Sequence, residues 1–330
     1  MSYKTAFRDV IRDYEIDREK SDALLKKRKA EVYDSFPKLK ELDEAISQSA
    51  LTAAKQILAT GEKNNDIEEW LTNSQNLIAE KKQLLAINGI PDDYLTNVYQ
   101  CTICEDTGYV DNNRCRCLKQ RMIDKYYDLS NIRDLLEVEN FESFDIRYYS
   151  KTVDPSVGMS PYQNIQRIYR ISMDFVNEFR QSFQNLLFYG DTGLGKTFMC
   201  NCIAKDLLDA GHTVLYVTAP QIFKLVEDYR FNRSDMTEPT YVIDAVTDVD
   251  LLVLDDLGAE FNTVVTSAAL FDIINQRLLA KKSTVISTNL SLVEFEAQYS
   301  ARIFSRFLGN YRMSKFIGDD IRAKKKYEGG

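Results

Sequence analysis

One short segment constrains the fold of this chain more than any other. Residues 190–197 read Gly-Asp-Thr-Gly-Leu-Gly-Lys-Thr and fit the phosphate-loop pattern GxxxxGK[ST]. An apolar run at 186–189 predicts a strand before the loop, and a helix is expected after it, which is the context that the pattern requires. Glycines let the backbone turn its N–H groups onto phosphate oxygens, and the helix N-terminus faces the same anion. The segment therefore predicts a nucleotide site in an α/β fold.

The residue types in this loop predict ATP and Mg²⁺ as ligands. Lys196 supplies a point charge for the β and γ phosphates, and the hydroxyl of Thr197 helps to hold Mg²⁺. The predicted nucleotide-binding residues are Gly190, Asp191, Thr192, Gly193, Leu194, Gly195, Lys196, Thr197 and Phe198.

Further apolar runs follow at 214–217, 251–254 and 284–287, and helical patterns separate them. Near-continuous apolar strands that alternate with helices indicate a parallel sheet covered on both faces. Residues 315–317 are the candidate for a fifth strand. The expected fold is a P-loop NTPase with a five-stranded parallel sheet.

Polar residues end two of these strands, at the sheet edge where ligands bind in open α/β folds. Asp255 is the expected Mg²⁺ partner, and Asp256 is placed to polarise an attacking water. Asn289, in Ser-Thr-Asn at the end of the fourth run, is placed to orient that water or to sense the γ-phosphate.

Three late arginines are candidates for contacts with the nucleotide. Arg302 and Arg306 are four residues apart and therefore lie on one helical face. An arginine supplied by a neighbouring subunit stabilises the charge that develops in phosphoryl transfer, but the sequence leaves open which of the two does so. Arg322 is a further candidate for the nucleotide itself.

Four cysteines fall within seventeen residues and predict a metal site. Their spacing, CxxC followed by CxC, supplies the four thiolates of a closed tetrahedral zinc site, and an iron–sulfur cluster is the alternative with the same ligands. The predicted ligands are Cys101, Cys104, Cys115 and Cys117. Cys200 and Cys202, in the helix after the phosphate loop, are expected to pack in the core.

The net charge of −8 restricts any contact with nucleic acid to a local patch. Tyr229, Arg230 and Arg233 follow the second predicted strand and combine an aromatic ring with cations, as single-stranded DNA requires. The sequence has no apolar run near the length of a membrane helix and no secretory h-region, so a cytoplasmic protein without a membrane partner is expected.

Helical spacing of apolar residues dominates the N-terminal part, as in Leu39, Leu42 and Ile46. We predict a helical partner-binding region at 1–92, a four-cysteine zinc element at 93–125, a linker at 126–158 and the ATPase domain at 159–330.

The order of these motifs resembles that of the AAA+ ATPases, and more closely that of bacterial replicative-helicase loaders of the DnaC/DnaI type. The resemblance covers roughly residues 95–325 and is carried by 185–197, 253–260, 274–277, 287–289 and 302–306. It implies that Asn289 is sensor 1, Arg306 the arginine finger with Arg302 competing, and Arg322 the second sensor. Asp256 stands where many AAA+ proteins have a catalytic glutamate, which implies slow hydrolysis.

The resemblance implies an ATP-dependent loader that binds the replicative DNA helicase and delivers it onto single-stranded DNA during replication initiation or restart. It implies a homo-oligomer that forms on ATP or helicase binding. Two alternatives remain at this point: a transposition helper of the related IstB-like type, and an adaptor that binds nucleotide without hydrolysing it.

Overall fold

A computed structural model describes residues 3–60, 65–127, 130–230 and 246–328. The chain forms two compact units, one of residues 12–107 and one of residues 1–11 together with 108–330. Within the described residues, no helix is both long enough and apolar enough to cross a membrane.

The first part of the chain consists of three long helices, as the apolar spacing predicts. They are α1 (Tyr3–Ser35), α2 (Pro37–Thr60) and α3 (Asn65–Ile87). Helix α2 begins at a proline, whose fixed φ suits the first turn. Val32, Leu39, Leu85 and Leu95 are buried together and form a small core in the unit of residues 12–107. An ion pair of 2.6 Å between Lys81 and Asp43 joins α3 to α2.

A short hairpin and three helices precede the main sheet. Strands β1 (Tyr109–Val110) and β2 (Asn113–Arg114) pair antiparallel through a turn in which Asp111 and Asn112 have φ of 48° and 64°. Such positive φ values at both turn residues match the twist of a tight hairpin. The helices are α4 (Arg116–Tyr127), α5 (Ser130–Val138) and α6 (Pro161–Asn177), and a 3₁₀ turn (Ile146–Tyr148) lies between the last two.

The main sheet has five parallel strands in the order β4-β5-β6-β3-β7. The strands are β3 (Leu186–Tyr189), β4 (Val214–Thr218), β5 (Leu251–Leu257), β6 (Ser283–Thr288) and β7 (Arg312–Lys315). The helices that follow them in turn are α7 (Lys196–Asp209), α8 (Ala219–Arg230), α9 (Val264–Leu279), α10 (Leu292–Gln298), α11 (Ala301–Asn310) and α12 (Ile321–Glu328). Because all strands are parallel, their carboxyl ends meet at one edge of the sheet.

Each face of the sheet is covered by its own hydrophobic cluster, and this confirms the predicted P-loop NTPase fold. Leu215, Leu252 and Ile286 point to one face, whereas Tyr216 and Val253 point to the other. Cys200 and Cys202 are both fully buried in the second cluster, as predicted.

The fifth strand lies three residues earlier than predicted. It spans Arg312–Lys315, and Phe316 follows it, with its N–H donating to the carbonyl of Tyr189 at 2.7 Å. Among the strands that the structure describes, β7 is an edge strand and pairs with β3 alone. An edge strand needs no continuous apolar run, because its outer hydrogen-bonding edge has no neighbouring strand. This explains why the apolar pattern predicted the strand too late in the sequence.

Candidate nucleotide and metal sites

The phosphate loop has the backbone conformation that its glycines predict. Gly190, Gly193 and Gly195 have φ of 133°, 80° and 91°, which other residues rarely adopt. Lys196, the first residue of α7, is buried, and its Nζ donates to the carbonyl oxygens of Gly190 at 2.8 Å and Asp191 at 2.7 Å. The ammonium group is thus held inside the curve of the loop.

Burial lowers the pKa of the Lys196 ammonium, and the nearby carboxylates of Asp256 and Asp255 oppose that effect. These three charged groups therefore share one electrostatic environment at the carboxyl edge of the sheet. The arrangement combines a cation for phosphate with carboxylates for a metal.

Asp255 is the centre of a hydrogen-bond network at the end of β5. The Thr197 hydroxyl donates to its Oδ1 at 3.3 Å, and the Tyr216 hydroxyl donates to its Oδ2 at 3.0 Å. Ser287 also donates to Oδ1. Burial raises the pKa of this carboxyl, whereas the hydrogen bond from Ser287 lowers it.

Tyr216 is a partner of Asp255 that no motif in the sequence indicates, and Ser287 belongs to the Ser-Thr-Asn segment in which only Asn289 was predicted as a site residue. Both lie within apolar runs, where a polar residue resembles ordinary core filling. Tyr216 pairs with Val253, two residues before Asp255, and Ser287 lies on β6 between the partners of Leu254 and Leu257. Both contacts depend on which strands are neighbours in the sheet, and strand order is not visible in the sequence.

Asp256 lies at a strained point of the same strand. Its φ is 55°, which an aspartate adopts more readily than most side chains do. Its N–H donates to the Ser287 hydroxyl at 3.0 Å, and the Asn289 amide donates to its Oδ1 at 3.4 Å. The structure therefore brings together Asp256 and Asn289, the two residues predicted to orient a water.

A cleft of about 210 Å³ opens beside the loop and gathers most of the predicted residues. Its lining includes Lys196, Thr197, Asp256, Asn289 and Arg322. It also includes six residues of the predicted linker at 126–158, which are Glu139, Ser143, Phe144, Asp145, Tyr148 and Tyr149.

Two hydrogen bonds fix that segment against the loop and helix α7. The Tyr149 hydroxyl donates to the Leu194 carbonyl at 2.9 Å, and the Asn201 amide donates to Glu139 at 2.6 Å. Aromatic rings supply a flat apolar surface for a nucleobase. The aromatic residues were visible in the sequence, but nothing in their spacing linked them to the loop.

The segment that begins α12 closes the other side of the loop. The Ile321 N–H donates to the Gly193 carbonyl at 3.0 Å, and Lys324 donates to the Tyr148 carbonyl at 3.2 Å. Arg322 is exposed and lines the cleft, and its contact with a nucleotide stays a prediction.

The arginine pair lies on α11, and the cleft lining contains neither of its members among the described residues. Arg306 stacks over the ring of Phe271, with 4.1 Å from Cζ to the centroid, and donates to Asn275 Oδ1 at 3.3 Å. Arg302 is exposed. Neither arginine reaches the cleft of its own chain, so a role for either there requires a second chain.

The four cysteines of the predicted metal site converge. Their sulfur atoms all lie within 4.8 Å of one another, and Cys104 and Cys115 are buried. Thiolates about 2.3 Å from a tetrahedral zinc ion would be spaced about 3.8 Å apart, so modest closure suffices. The buried Asp106 carboxylate accepts the N–H groups of Gln100 and Cys101 at 2.8 Å each, which fixes the first ligand's backbone. This donor set fits a structural zinc ion.

The predicted DNA contacts are only partly within the described residues. Tyr229 and Arg230 lie in the last turn of α8, whereas Arg233 lies outside the described residues.

Comparison with known proteins agrees with the phosphate-loop fold. The family described as IstB-like ATP binding protein matches residues 115–328. The replicative helicase loader DnaC of Escherichia coli K12 is 28% identical over 151 residues, which are 46% of this chain and 61% of that protein. Its counterpart in Buchnera aphidicola subsp. Baizongia pistaciae is 23% identical over 196 residues, 59% of this chain and 74% of that protein. The match thus spans less than two thirds of the E. coli protein's own length.

A solved structure is also similar. The crystal structure of the DnaI has a TM-score of 0.46 and 22% identity, and the similarity covers 58% of this chain and 93% of that one.

Proposed function

The chain belongs to the family of IstB-like ATP-binding proteins, and on that premise we propose that it is an ATP-dependent loader of the replicative DNA helicase. In this proposal it binds the helicase and delivers it onto single-stranded DNA during replication initiation or restart. The observation that carries the proposal is the convergence of Lys196, Thr197 and Asp255 in a chain whose sequence relatives are named replicative helicase loaders.

The residues of the cleft divide the work on ATP. Lys196 would exchange the loop carbonyls for phosphate oxygens, and the loop N–H groups would bind the same phosphates. The hydroxyl of Thr197 and the carboxylate of Asp255 already approach each other at 3.3 Å, as two ligands of one metal would. Mg²⁺ held there would neutralise charge on the phosphates.

Hydrolysis in this proposal is slow and works as a release switch. Asp256 and Asn289 would orient the attacking water, but the aspartate is one methylene shorter than a glutamate and its backbone is strained. Arg306 of a neighbouring copy would complete the site. Phe271 and Asn275 of the same copy as Arg306 hold its guanidinium in a fixed orientation. Arg302 competes for this role through its exposure. ATPase rates of Arg306→Ala and Arg302→Ala are compared, and the arginine-finger role is assigned to the residue whose substitution lowers the rate more.

The remaining elements would hold the partners. Helices of residues 12–107 and the four-cysteine element would contact the helicase, and Tyr229, Arg230 and Arg233 would contact single-stranded DNA. ATP binding would favour assembly into a homo-oligomer, since each complete site needs two chains.

A pulldown tests partner and nucleotide dependence together. Wild type and Lys196→Ala are mixed with the replicative helicase of the same cell, with and without ATP, and helicase deposited on single-stranded DNA is then measured. We expect wild type to deposit helicase only with ATP, and Lys196→Ala to bind helicase but fail in deposition. A wild-type protein that neither binds helicase nor promotes its deposition contradicts the proposal.

A second candidate is a transposition helper. It is favoured by the family match, which covers the ATPase portion and leaves residues 12–107 outside. Capture of a transposase in place of helicase in the same pulldown would favour it. Zero phosphate release in the presence of helicase and single-stranded DNA would instead favour a non-hydrolysing adaptor.

A further inference from the structure

A hydrogen-bonded pair of side chains, Glu260 and Tyr299, connects the candidate nucleotide site to the start of the helix that carries the arginines. The residues after Asp255 form a tight turn, Asp256 to Glu260, which we call the acidic turn. The Ala259 N–H donates to the Asp256 carbonyl at 3.1 Å and closes the turn. Glu260 ends it, and its Oε2 accepts the N–H of Gly258 at 2.8 Å.

The other oxygen of Glu260 accepts the hydroxyl of Tyr299. Tyr299 is 1% exposed, and its ring packs against Phe295 with centroids 4.8 Å apart. Ser300, the next residue, is the N-cap of α11. The hydrogen bond between Glu260 and Tyr299 therefore connects the acidic turn to the start of the helix that carries Arg302 and Arg306, and the Asn262 amide, which donates to the Gln298 carbonyl, lies beside this connection.

Contacts other than that pair also hold the acidic turn in place. A Cβ on Gly258 would lie 2.6 Å from a methyl carbon of Leu290, so the turn packs tightly on the loop after β6. The Thr288 hydroxyl donates to the Leu257 carbonyl at 2.6 Å and fixes the end of β5. Packed contacts of this kind switch between discrete arrangements and do not deform gradually.

We infer that Glu260 and Tyr299 are positioning residues that couple the Asp256 end of one nucleotide site to the arginines that α11 would present to the neighbouring site. ATP contacts at Asp256 would thereby set the position of α11, and α11 would in turn bias Asp256. The inference rests on the proposed ATP site, but it does not depend on the helicase as partner.

Tyr299→Phe and Glu260→Gln test the coupling in the full-length chain. Tyr299→Phe keeps the buried ring and removes only the hydroxyl. The matched control is Tyr311→Phe, which removes another buried tyrosine hydroxyl from the same hydrophobic cluster, at the opposite end of α11 from Tyr299. Hydrogen–deuterium exchange is measured with and without ATP, together with ATP affinity.

In wild type and Tyr311→Phe we expect ATP to slow exchange both at the phosphate loop and at 303–310. In Tyr299→Phe and Glu260→Gln the effect should persist at the loop and disappear at 303–310, with ATP affinity changed less than twofold. Where ATP is hydrolysed, kcat should fall about tenfold with KM unchanged, and the double variant should lose no more than either single variant.

The outcomes separate this inference from the proposed function. A response at 303–310 that survives in Tyr299→Phe, or that is absent from ATP-bound wild type, overturns the coupling whatever the protein loads. Failure of wild type to bind ATP overturns both. Loss of helicase capture with the exchange pattern intact overturns only the loader.

Discussion

At Gly195, single atoms decide whether the phosphate loop keeps its shape. Its φ is 91°, and a Cβ there would lie 2.6 Å from the hydroxyl oxygen of Tyr149. The residue therefore meets two separate demands, one on backbone conformation and one on space. The glycine pattern was predictable from the sequence because the loop's chemistry requires it, whereas the tyrosine that crowds it was not, because the two are far apart in the chain.

Substituting Gly195 separates the two demands. Gly195→Ala should lower the free energy of unfolding by more than the about 1–2 kcal/mol of left-handed strain alone. Gly211→Ala is the matched control, since its φ is 78° and nothing lies within 4 Å of the added Cβ. Adding Tyr149→Phe to Gly195→Ala should recover part of the lost free energy of unfolding, because the hydroxyl that would meet the added Cβ is then absent. Urea unfolding of the four proteins measures this, and equal losses for the two alanine variants would contradict the steric argument.

His212 offers a direct measurement of local electrostatics because it is the one histidine in the sequence. Burial lowers its pKa, Asp250 opposes this, and Arg180, which donates to Nε2 at 3.3 Å, adds to it. The folded pKa should therefore lie below the ordinary value of about 6.5. The single imidazole resonance in a proton NMR titration reports it, and a midpoint at or above the ordinary value would contradict the assignment.

The same shift fixes the sign of a stability effect. Since the unfolded chain binds the proton more tightly, this histidine's contribution to stability is present above the unfolded pKa and is lost as pH falls toward the folded pKa. His212→Asn should remove that contribution, so the stability difference between wild type and variant should narrow as pH falls through this window.

Among the elements, those with a strong apolar or glycine pattern were predictable from the sequence. Those whose place depends on contacts with distant parts of the chain were not. Strands β3 to β6 coincide with apolar runs because both of their faces are buried. Strand β7 is polar and was placed too late. Segment 139–149 has no regular period, and it lines the cleft only because Tyr149 and Glu139 meet the loop and α7.

Helix α9 depends on one buried arginine. Arg277 is 1% exposed and donates to the carbonyl oxygens of Val246 at 2.6 Å, Val249 at 3.2 Å and Ser283 at 2.6 Å. It joins the residues before β5 to the start of β6. Burial lowers the pKa of this guanidinium to about 10, so it remains charged at neutral pH.

Removing that guanidinium should be costly. Arg277→Met leaves three buried carbonyls without their donor, and we expect a loss of more than about 3 kcal/mol in the free energy of unfolding. Arg167→Met, which changes an exposed arginine of α6, should stay within about 0.5 kcal/mol. Denaturant titration of both variants checks this, and a similar small loss in both would show that Arg277 is not a structural tie.

For the molecule as a whole, the four cysteines and the phosphate loop are separate constructions. The cysteine sulfurs converge within residues 101–117, whereas Lys196, Thr197 and Asp255 lie at the carboxyl edge of the main sheet. The sequence predicted both because each has a local spacing rule. The predicted division into 1–92, 93–125, 126–158 and 159–330 stays a prediction, because the borders of domains depend on contacts between residues that are distant in sequence.

Metal analysis tests the separation. Purified protein kept reduced should carry one zinc ion per chain and no iron absorption, and Cys104→Ser should lose the zinc while still binding ATP. Cys200→Ala is the control, because Cys200 is a core residue that should leave the metal content unchanged. Wild type without bound zinc, or loss of ATP binding in Cys104→Ser at unchanged secondary structure, would contradict the prediction.

The crowding around the phosphate loop has a consequence for how this chain can evolve. An added Cβ would lie 2.4 Å from the Phe316 carbonyl at Gly190, 2.3 Å from the Asp320 carboxylate at Gly193 and 2.6 Å from the Tyr149 hydroxyl at Gly195. All three glycines are thus favoured by their positive φ, and Gly190 is also required by its packing against a backbone carbonyl, independently of phosphate. A descendant that abandoned nucleotide would be free to replace Lys196 long before it could replace the glycines. In its lineage, Lys196 would indicate whether the site still binds nucleotide, whereas the glycines would indicate only that the fold is kept.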